Sequence, residues 1–255
     1  MSAVRAMRVV VILAGVLLAV PAEAGQRSFA WTYDTEIVPK GDVELEQWLW
    51  ARSRAPGLPT ERSRYWIWWA PVFGLTQRLE LALPFQVESS RDFTWLDSFD
   101  ADARLRLFPR GDDHPWQGLL RVAWHQAINT PHPSRVEANL VQSYELENKL
   151  RLALDLGVQT GLLMLRGGDG PVQVLATYAA GASLPLGEGE FKASLEAYGE
   201  LPVSGLGSAQ HHFVGADVAW TFGRSWVTLG LMVGLTRWFP ETPQFMPRLL
   251  WAVAL

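Results

Sequence analysis

Charged and polar side chains recur at every second position in many stretches of this 255-residue chain, which places them on one face of extended strands. Asp100, Asp102, Arg104 and Arg106 form the clearest row. Neighbouring side chains in such a row lie about 6.6–7 Å apart, a distance that suits a carboxylate pair or a calcium site. Because two bases continue the row of two acids, a salt-bridged ladder is the better interpretation. The other residues that we predict to face the same interior are Glu44, Glu46, Trp48, Trp50, Arg78, Glu80, Arg121, His125, Glu145, Arg151, Asp155, Lys192, Glu196 and Asp217.

Nucleophilic catalysis is the second chemistry that the residue types permit. His132 and Ser134 form a His-x-Ser pair, and Asn139 follows, a spacing that resembles outer-membrane phospholipases. A serine–histidine relay needs rigid positions within hydrogen-bond reach and a third group that orients the base. Pro131 and Pro133 flank the histidine and place the pair in a loop. We therefore predict no catalytic residues and a protein that is not an enzyme.

Metal and cofactor sites lack the residue patterns that they require. The adjacent His211 and His212 open a strand, so their rings point to opposite faces. His114 and His125 fall at opposite ends of another expected strand, and the chain contains no cysteine. The glycine-rich stretch 166–170 lacks the Lys-Ser/Thr and the helix of a phosphate loop. The sequence predicts neither a metal ion nor a cofactor.

The elements that position these rows are strands with a strict period of two. In residues 77–87, Leu79, Leu81, Leu83 and Phe85 alternate with polar residues. About 12 such segments, joined by turns, predict an all-β protein, a transmembrane antiparallel up-and-down β-barrel. The expected strands are 43–54, 62–71, 77–88, 96–108, 118–129, 137–147, 150–165, 172–185, 190–201, 211–222, 226–236 and 248–255.

The connections between these strands alternate in length, as they do in outer-membrane barrels with short periplasmic turns and longer outer loops. The expected short turns are 73–76, 109–117, 147–149, 186–189 and 222–225. The expected outer loops are 55–61, 89–95, 130–136, 166–171, 202–210 and 237–247.

The apolar half of the alternation predicts a surface in contact with lipid. The chain is 49% hydrophobic and 19% charged, and it contains 13 tryptophans, a residue that favours membrane interfaces. Leu249, Trp251, Val253 and Leu255 give the last strand the apolar alternation of the C-terminal signal of outer-membrane barrels. We expect the partners to be outer-membrane lipid, lipopolysaccharide and the outer-membrane assembly machinery, which would bind this last strand.

The N-terminus has the features of a secretory signal. Arg5 and Arg8 precede an apolar stretch at 9–20, and Ala22-Glu23-Ala24 supplies a cleavage pattern. The sequence therefore predicts a signal peptide at 1–24, a periplasmic segment at 25–42 that leads into the barrel, and the barrel at 43–255. Export through the secretory pathway to the outer membrane of a Gram-negative bacterium follows from this arrangement.

Two segments carry a family resemblance. Residues 39–46 (PKGDVELE) and 73–81 (FGLTQRLEL) resemble outer-membrane barrels of the MetA-pathway of phenol degradation family, whose members are described as transporters. The resemblance implies a barrel that moves or binds small hydrophobic compounds.

Three functions are compatible with the residues. Trp48 and Trp50, inward beside the charged rows, favour a narrow channel or binding barrel for a small-molecule solute. Mixed-sign rows favour instead a lumen filled by ion pairs, in a barrel that is structural or acts through its outer loops. The third function, that of a lipid-modifying enzyme, is suggested by His132 and Ser134 alone. The formal net charge of −4 is mildly acidic and argues against a nucleic-acid partner.

Overall fold

The computed structural model describes residues 27–52, 64–89, 94–108, 115–128, 134–162, 174–203, 210–235 and 244–255. All of the regular structure in this part of the chain is β. Its strands are β1 (Val43–Arg52), β2 (Arg64–Gly74), β3 (Leu79–Ala82), β4 (Phe85–Ser89), β5 (Thr94–Arg106), β6 (Trp116–Ala127), β7 (Ser134–Glu145), β8 (Arg151–Leu162), β9 (Val174–Leu186), β10 (Phe191–Pro202), β11 (His211–Phe222), β12 (Ser225–Gly234) and β13 (Phe245–Ala254).

The strands form one closed antiparallel barrel. Consecutive strands pair with each other, and β1 pairs both with β2 and with β13, so the sheet has no open edge. β3 and β4 together occupy one position in the wall, between β2 and β5, which gives twelve barrel strands and confirms the expected fold. The interruption falls at Leu83 and Pro84, because proline has no N–H to donate to the ladder. No helix long and apolar enough to cross a membrane occurs among the described residues.

The two faces of the wall differ as the alternation predicts. On β8, Leu152, Leu154 and Leu156 are exposed on the outside, whereas Ala153 and Asp155 are buried inside. The same division runs around the barrel. Residues exposed on the outside include Val122 and Trp124 on β6, Val214 and Val218 on β11, Leu229 and Leu231 on β12, and Leu249 and Trp251 on β13. A closed barrel with an apolar exterior is the β-sheet arrangement in which every backbone polar group is paired within hydrocarbon.

Most strand boundaries agree with the sequence prediction within about three residues, and the turns explain where the strands reverse. At one end of the barrel the turns are short, and Lys149, Gly187, Gly189 and Gly223 adopt positive φ angles of 66°, 61°, 97° and 57°. Glycine adopts this conformation without steric cost, which permits tight hairpins. Most residues of the expected outer loops, and the expected signal peptide, lie outside the described residues.

The position of the N-terminal segment differs from the sequence prediction. Residues 39–42 lie at the short-turn end, where Gly41 donates its N–H to the Gly74 carbonyl at 2.8 Å. Residues 27–38, however, do not stay outside the barrel: they contact inward-facing side chains of β1, β3, β5, β8, β10 and β12. We call residues 27–38 the lumen segment. Its short apolar stretches are buried against the wall, and its backbone finds hydrogen-bond partners there.

Candidate functional site in the barrel lumen

The lumen segment is held by one carboxylate that binds three consecutive backbone amides. Glu196 on β10 accepts the N–H of Ala30 at 2.8 Å, of Trp31 at 3.1 Å and of Thr32. Successive N–H groups that converge on an anion form a nest, in which the anion satisfies donors that no strand partner reaches. The alternation places Glu196 inside the barrel, but the sequence gives no indication that backbone amides would be its ligands.

Side chains on other strands bind the rest of the segment. Glu80 accepts the N–H of Val38 at 2.6 Å. Arg151 lies 3.0 Å from Asp34 and 3.0 Å from Glu36. Lys192 donates to the Ser28 hydroxyl at 3.1 Å. The anchors come from separate parts of the wall, so the segment is fixed along its whole length.

Two inward-facing glycines make room for the aromatic side chains of the segment. A Cβ at Gly181 would lie 2.5 Å from the ring of Phe29, and a Cβ at Gly230 would lie 2.6 Å from the ring of Trp31. Such distances are shorter than van der Waals contact, so any other residue at these positions would push the rings away. Phe29 is 1% exposed, which shows how completely it is enclosed.

A buried ionic network surrounds the segment beside β1, β3, β5 and β6. The Arg104 guanidinium forms ion pairs with Glu80, with Asp102 at 3.1 Å and with Glu46 at 3.9 Å. Arg121 lies 3.0 Å from the same Asp102 carboxylate. Within the row, Asp102 and Arg104 are paired with each other, and the remaining contacts of this network reach β1, β3 and β6. Buried charges of this kind are tolerated because each has a partner of opposite sign.

Further toward the outer loops, the inward-facing side chains are aromatic. The ring centroids of Trp48 and Trp68 are 4.1 Å apart, as are those of Trp50 and Trp66. Arg52 lies over Trp50, with its Cζ 5.2 Å from the ring centroid. Trp48 is buried and Trp50 is half-buried on the inward side of β1.

The sequence reasoning missed several lumen residues. Glu137 on β7 lies 2.8 Å from Arg121 and 3.5 Å from His125, and the alternation with Asn139 could have identified it. Asp97 could not have been identified in this way, because the pairing of β4 with β5 shifts register between Gln86 and Val87. This bulge turns Asp97 inward, where it accepts a hydrogen bond from Gln86 at 2.6 Å.

Sixteen of the eighteen predicted lumen residues face the interior, and the other two are exposed. Arg78 is exposed in the turn that follows β2, and Glu145 is exposed at the end of β7, 3.4 Å from Lys149. Both residues belong to the alternate positions that face inward along their strands. The alternation, however, continues beyond the enclosed part of the barrel. The buried residues are Glu44, Glu46, Trp48, Glu80, Asp100, Asp102, Arg104, Arg106, Arg121, Asp155, Glu196 and Asp217, and the half-buried ones are Trp50, His125, Arg151 and Lys192.

Ser134 and Asn139, two members of the candidate catalytic group, have structural partners. Ser134 is buried and accepts the N–H of Ala127 at 3.1 Å, and His132 lies outside the described residues. Asn139 donates to Asp155 at 2.9 Å and accepts from Arg121 at 2.9 Å. Among the residues that the structure describes, no group of three or more His, Cys, Asp or Glu side chains could hold a metal ion.

Comparison with known proteins identifies the fold. No family model and no curated protein matches the chain. Among solved structures, it resembles the NanC porin with a TM-score of 0.58 and 8% identity, over 84% of this chain and 100% of that one. It also resembles an outer-membrane channel from Pseudomonas putida F1 with a TM-score of 0.56 and 11% identity, over 93% of this chain and 100% of that one. The chain therefore has the fold of outer-membrane β-barrels.

Proposed function

We propose that this protein is a narrow channel for small molecules in the outer membrane of a Gram-negative bacterium, and that it is not an enzyme. The observation that carries the proposal is that a separate chain segment, and not wall side chains alone, occupies the lumen. A barrel that needs only stability can fill its interior with wall side chains. A segment that is not itself a strand of the wall, by contrast, can leave without opening the barrel.

The finer part of the proposal concerns the solute. Trp50 stacks on Trp66, and Arg52 lies over both rings on the outer-loop side of the lumen segment. These flat apolar surfaces beside charges suit small solutes with an apolar or aromatic part. They are consistent with membership of the MetA-pathway of phenol degradation family, which we include in the proposal.

We further propose that export uses the N-terminal signal peptide, and that the assembly machinery recognises the last strand. On β13, Leu249 and Trp251 are exposed on the outside, which is the apolar pattern that such recognition requires. Lipid and lipopolysaccharide would cover this face in the outer membrane.

Conductance in planar lipid bilayers tests the channel. We expect small conductance for the full-length protein and a severalfold larger one for a variant that lacks residues 27–38. The deletion variant must retain heat-modifiable gel mobility, which shows that its barrel is closed. If it does not fold, a liposome-swelling assay of the full-length protein with solutes of graded size replaces it. No conductance and no solute entry in a folded barrel would overturn the proposal.

The second candidate is a barrel that serves as a structural or surface-interacting protein. The buried network around Arg104 favours it, because the Arg104 guanidinium links carboxyl groups of β1, β3 and β5 there. This candidate expects the folded deletion variant to be as impermeable as the full-length protein, and it expects loss of the outer loops to abolish the phenotype.

A further inference from the structure

Two buried carboxyl groups meet where the lumen segment is anchored. Glu196 on β10 and Asp217 on β11 are each 4% exposed. Glu196 pairs with Gly215 and Ser194 pairs with Asp217, so the two acids are diagonal neighbours on the inward face. Side chains at diagonal positions on one face of a sheet are close enough to interact.

The backbone amides of the lumen segment beside these two acids donate their hydrogen bonds to Glu196. The amides of Ala30, Trp31 and Thr32 donate to its carboxylate. The Ala30 amide also faces Asp217, but its hydrogen bond goes to Glu196 at 2.8 Å. Neither carboxyl oxygen of Asp217 receives a hydrogen bond from any residue that the structure describes.

A buried carboxylate without donors is costly, and so the group keeps a proton instead. A protonated Asp217 can donate that proton to the neighbouring Glu196 carboxylate, so one proton and one negative charge are shared by the two acids. Glu196 still accepts the hydrogen bonds of the three amides.

The surroundings of Asp217 offer little else to stabilise a second negative charge. Its Oδ1 lies against the backbone of Gly230 on β12 and near the Trp31 ring of the lumen segment. The charged group that faces it from β13 is Arg248, whose Cζ lies 4.4 Å from the ring centroid of Trp48. Arg27 of the segment is close to Arg248 and pairs with Glu46. Arg248 would therefore offset only part of the repulsion between two ionised acids.

We propose that Asp217 and Glu196 form a proton-dependent latch: the shared proton holds the lumen segment in place, and loss of the proton releases it. Ionisation of Asp217 puts a second charge beside Glu196, and withdrawal of the segment exposes both acids to water. The latch depends on the proposed function only for its effect on conductance. Movement of the segment is measurable without any channel activity.

Thiol labelling measures that movement, because the chain contains no cysteine of its own. Thr32→Cys places a thiol on the segment at a residue that is 3% exposed, and Glu188→Cys places one in an exposed turn. Since a thiol reacts faster at higher pH by itself, the measured quantity is the ratio of the two labelling rates at each pH. If withdrawal releases one proton, this ratio rises with pH by up to roughly tenfold per unit.

Two variants with matched shapes test the mechanism. In Asp217→Asn the amide cannot ionise and can donate to Glu196, so the ratio stays low and independent of pH. In Glu196→Gln the anion of the nest is lost, so the ratio is raised several-fold at neutral pH. The latch would be overturned if the labelling ratio of the protein that keeps both acids did not change with pH. It would also be overturned if the ratio rose equally in Asp217→Asn.

Conductance at the same pH values separates this inference from the proposed function. A ratio that rises with pH in a barrel that never conducts supports the latch and contradicts the channel. Conductance that is present while the ratio stays flat supports the channel and contradicts the latch.

Discussion

The hydroxyl groups of Thr35 in the lumen segment and Ser143 on β7 lie 2.6 Å apart, and both residues are buried. This contact joins the segment to a part of the wall that is far from β10, where Glu196 binds it. The segment is thus attached at two sides of the barrel, and each attachment can be tested separately.

The first prediction is that a disulfide can replace this contact. Two cysteines at 35 and 143 have side-chain atoms close enough for an S–S bond with little backbone movement. We expect Thr35→Cys with Ser143→Cys to oxidise and to lose both free thiols in a thiol titration. Oxidation should lower conductance relative to the same protein after reduction.

The matched control moves one of the cysteines. Thr228 on β12 is buried and faces inward, where its hydroxyl donates to the Arg27 carbonyl at 2.8 Å, but it lies five strands away from Ser143. Thr35→Cys with Thr228→Cys should keep two free thiols under the same oxidation. Equal cross-linking in both pairs would mean that residue 35 does not stay beside β7.

The second prediction concerns the space that Gly181 leaves for Phe29. A Cβ at this position would lie 2.5 Å from the ring, and overpacking of this kind costs about 1–3 kcal/mol. We expect Gly181→Ala to increase the labelling of a cysteine at position 32 while the barrel keeps its heat-modifiable mobility.

Gly199→Ala is the control for this substitution. Gly199 is on the neighbouring strand, but a Cβ there would meet the ring of Tyr178 on the outer face, 2.3 Å away. It should leave the labelling at position 32 unchanged. If both alanines increase labelling alike, the effect comes from the wall and not from contact with Phe29.

The third prediction is a large loss of stability on removal of Arg104. Arg104→Ala leaves Glu46, Glu80 and Asp102 without this cation in a buried environment. Loss of one partner of a buried ion pair costs about 3–5 kcal/mol. Urea unfolding of the liposome-inserted barrel measures the change.

An exposed ion pair gives the comparison. Glu145 and Lys149 are 3.4 Å apart with side chains 44% and 72% exposed, and such pairs contribute about 0–1 kcal/mol. Lys149→Ala should therefore have a much smaller effect. Similar losses for both variants would contradict the burial of the Arg104 network.

The fourth prediction concerns Trp226, which is fully buried on β12. Its indole N–H donates to the Glu44 carboxylate at 3.0 Å, close to the pairing of β1 with β13 that closes the barrel. Trp226→Phe keeps an aromatic ring but leaves a buried carboxylate with one donor fewer, at a cost of about 1–3 kcal/mol. Urea unfolding should detect this loss, whereas Trp220→Phe on the outer face should change stability less. A larger loss of stability for Trp220→Phe than for Trp226→Phe would contradict this prediction.

Much of the wall could be predicted from alternation, because strand residues point to opposite faces with a period of two. Two residues depart from this alternation in different ways. Arg78 has the right parity but lies in an exposed turn, since parity says nothing about where the enclosed lumen ends. Asp97 points inward only because of a bulge, which shifts parity by one residue and leaves no sign in the local pattern.

The sequence by itself determined the closed barrel, its strands and the division between an apolar outside and a charged inside. These follow from local period and from the need to pair every backbone polar group in hydrocarbon. Only the tertiary structure decided what fills the inside. Residues 27–38 have no strand period, and their partners, such as Glu196, are more than 150 positions away in the chain. Contacts over such separations depend on how the barrel closes, so no local pattern encodes them.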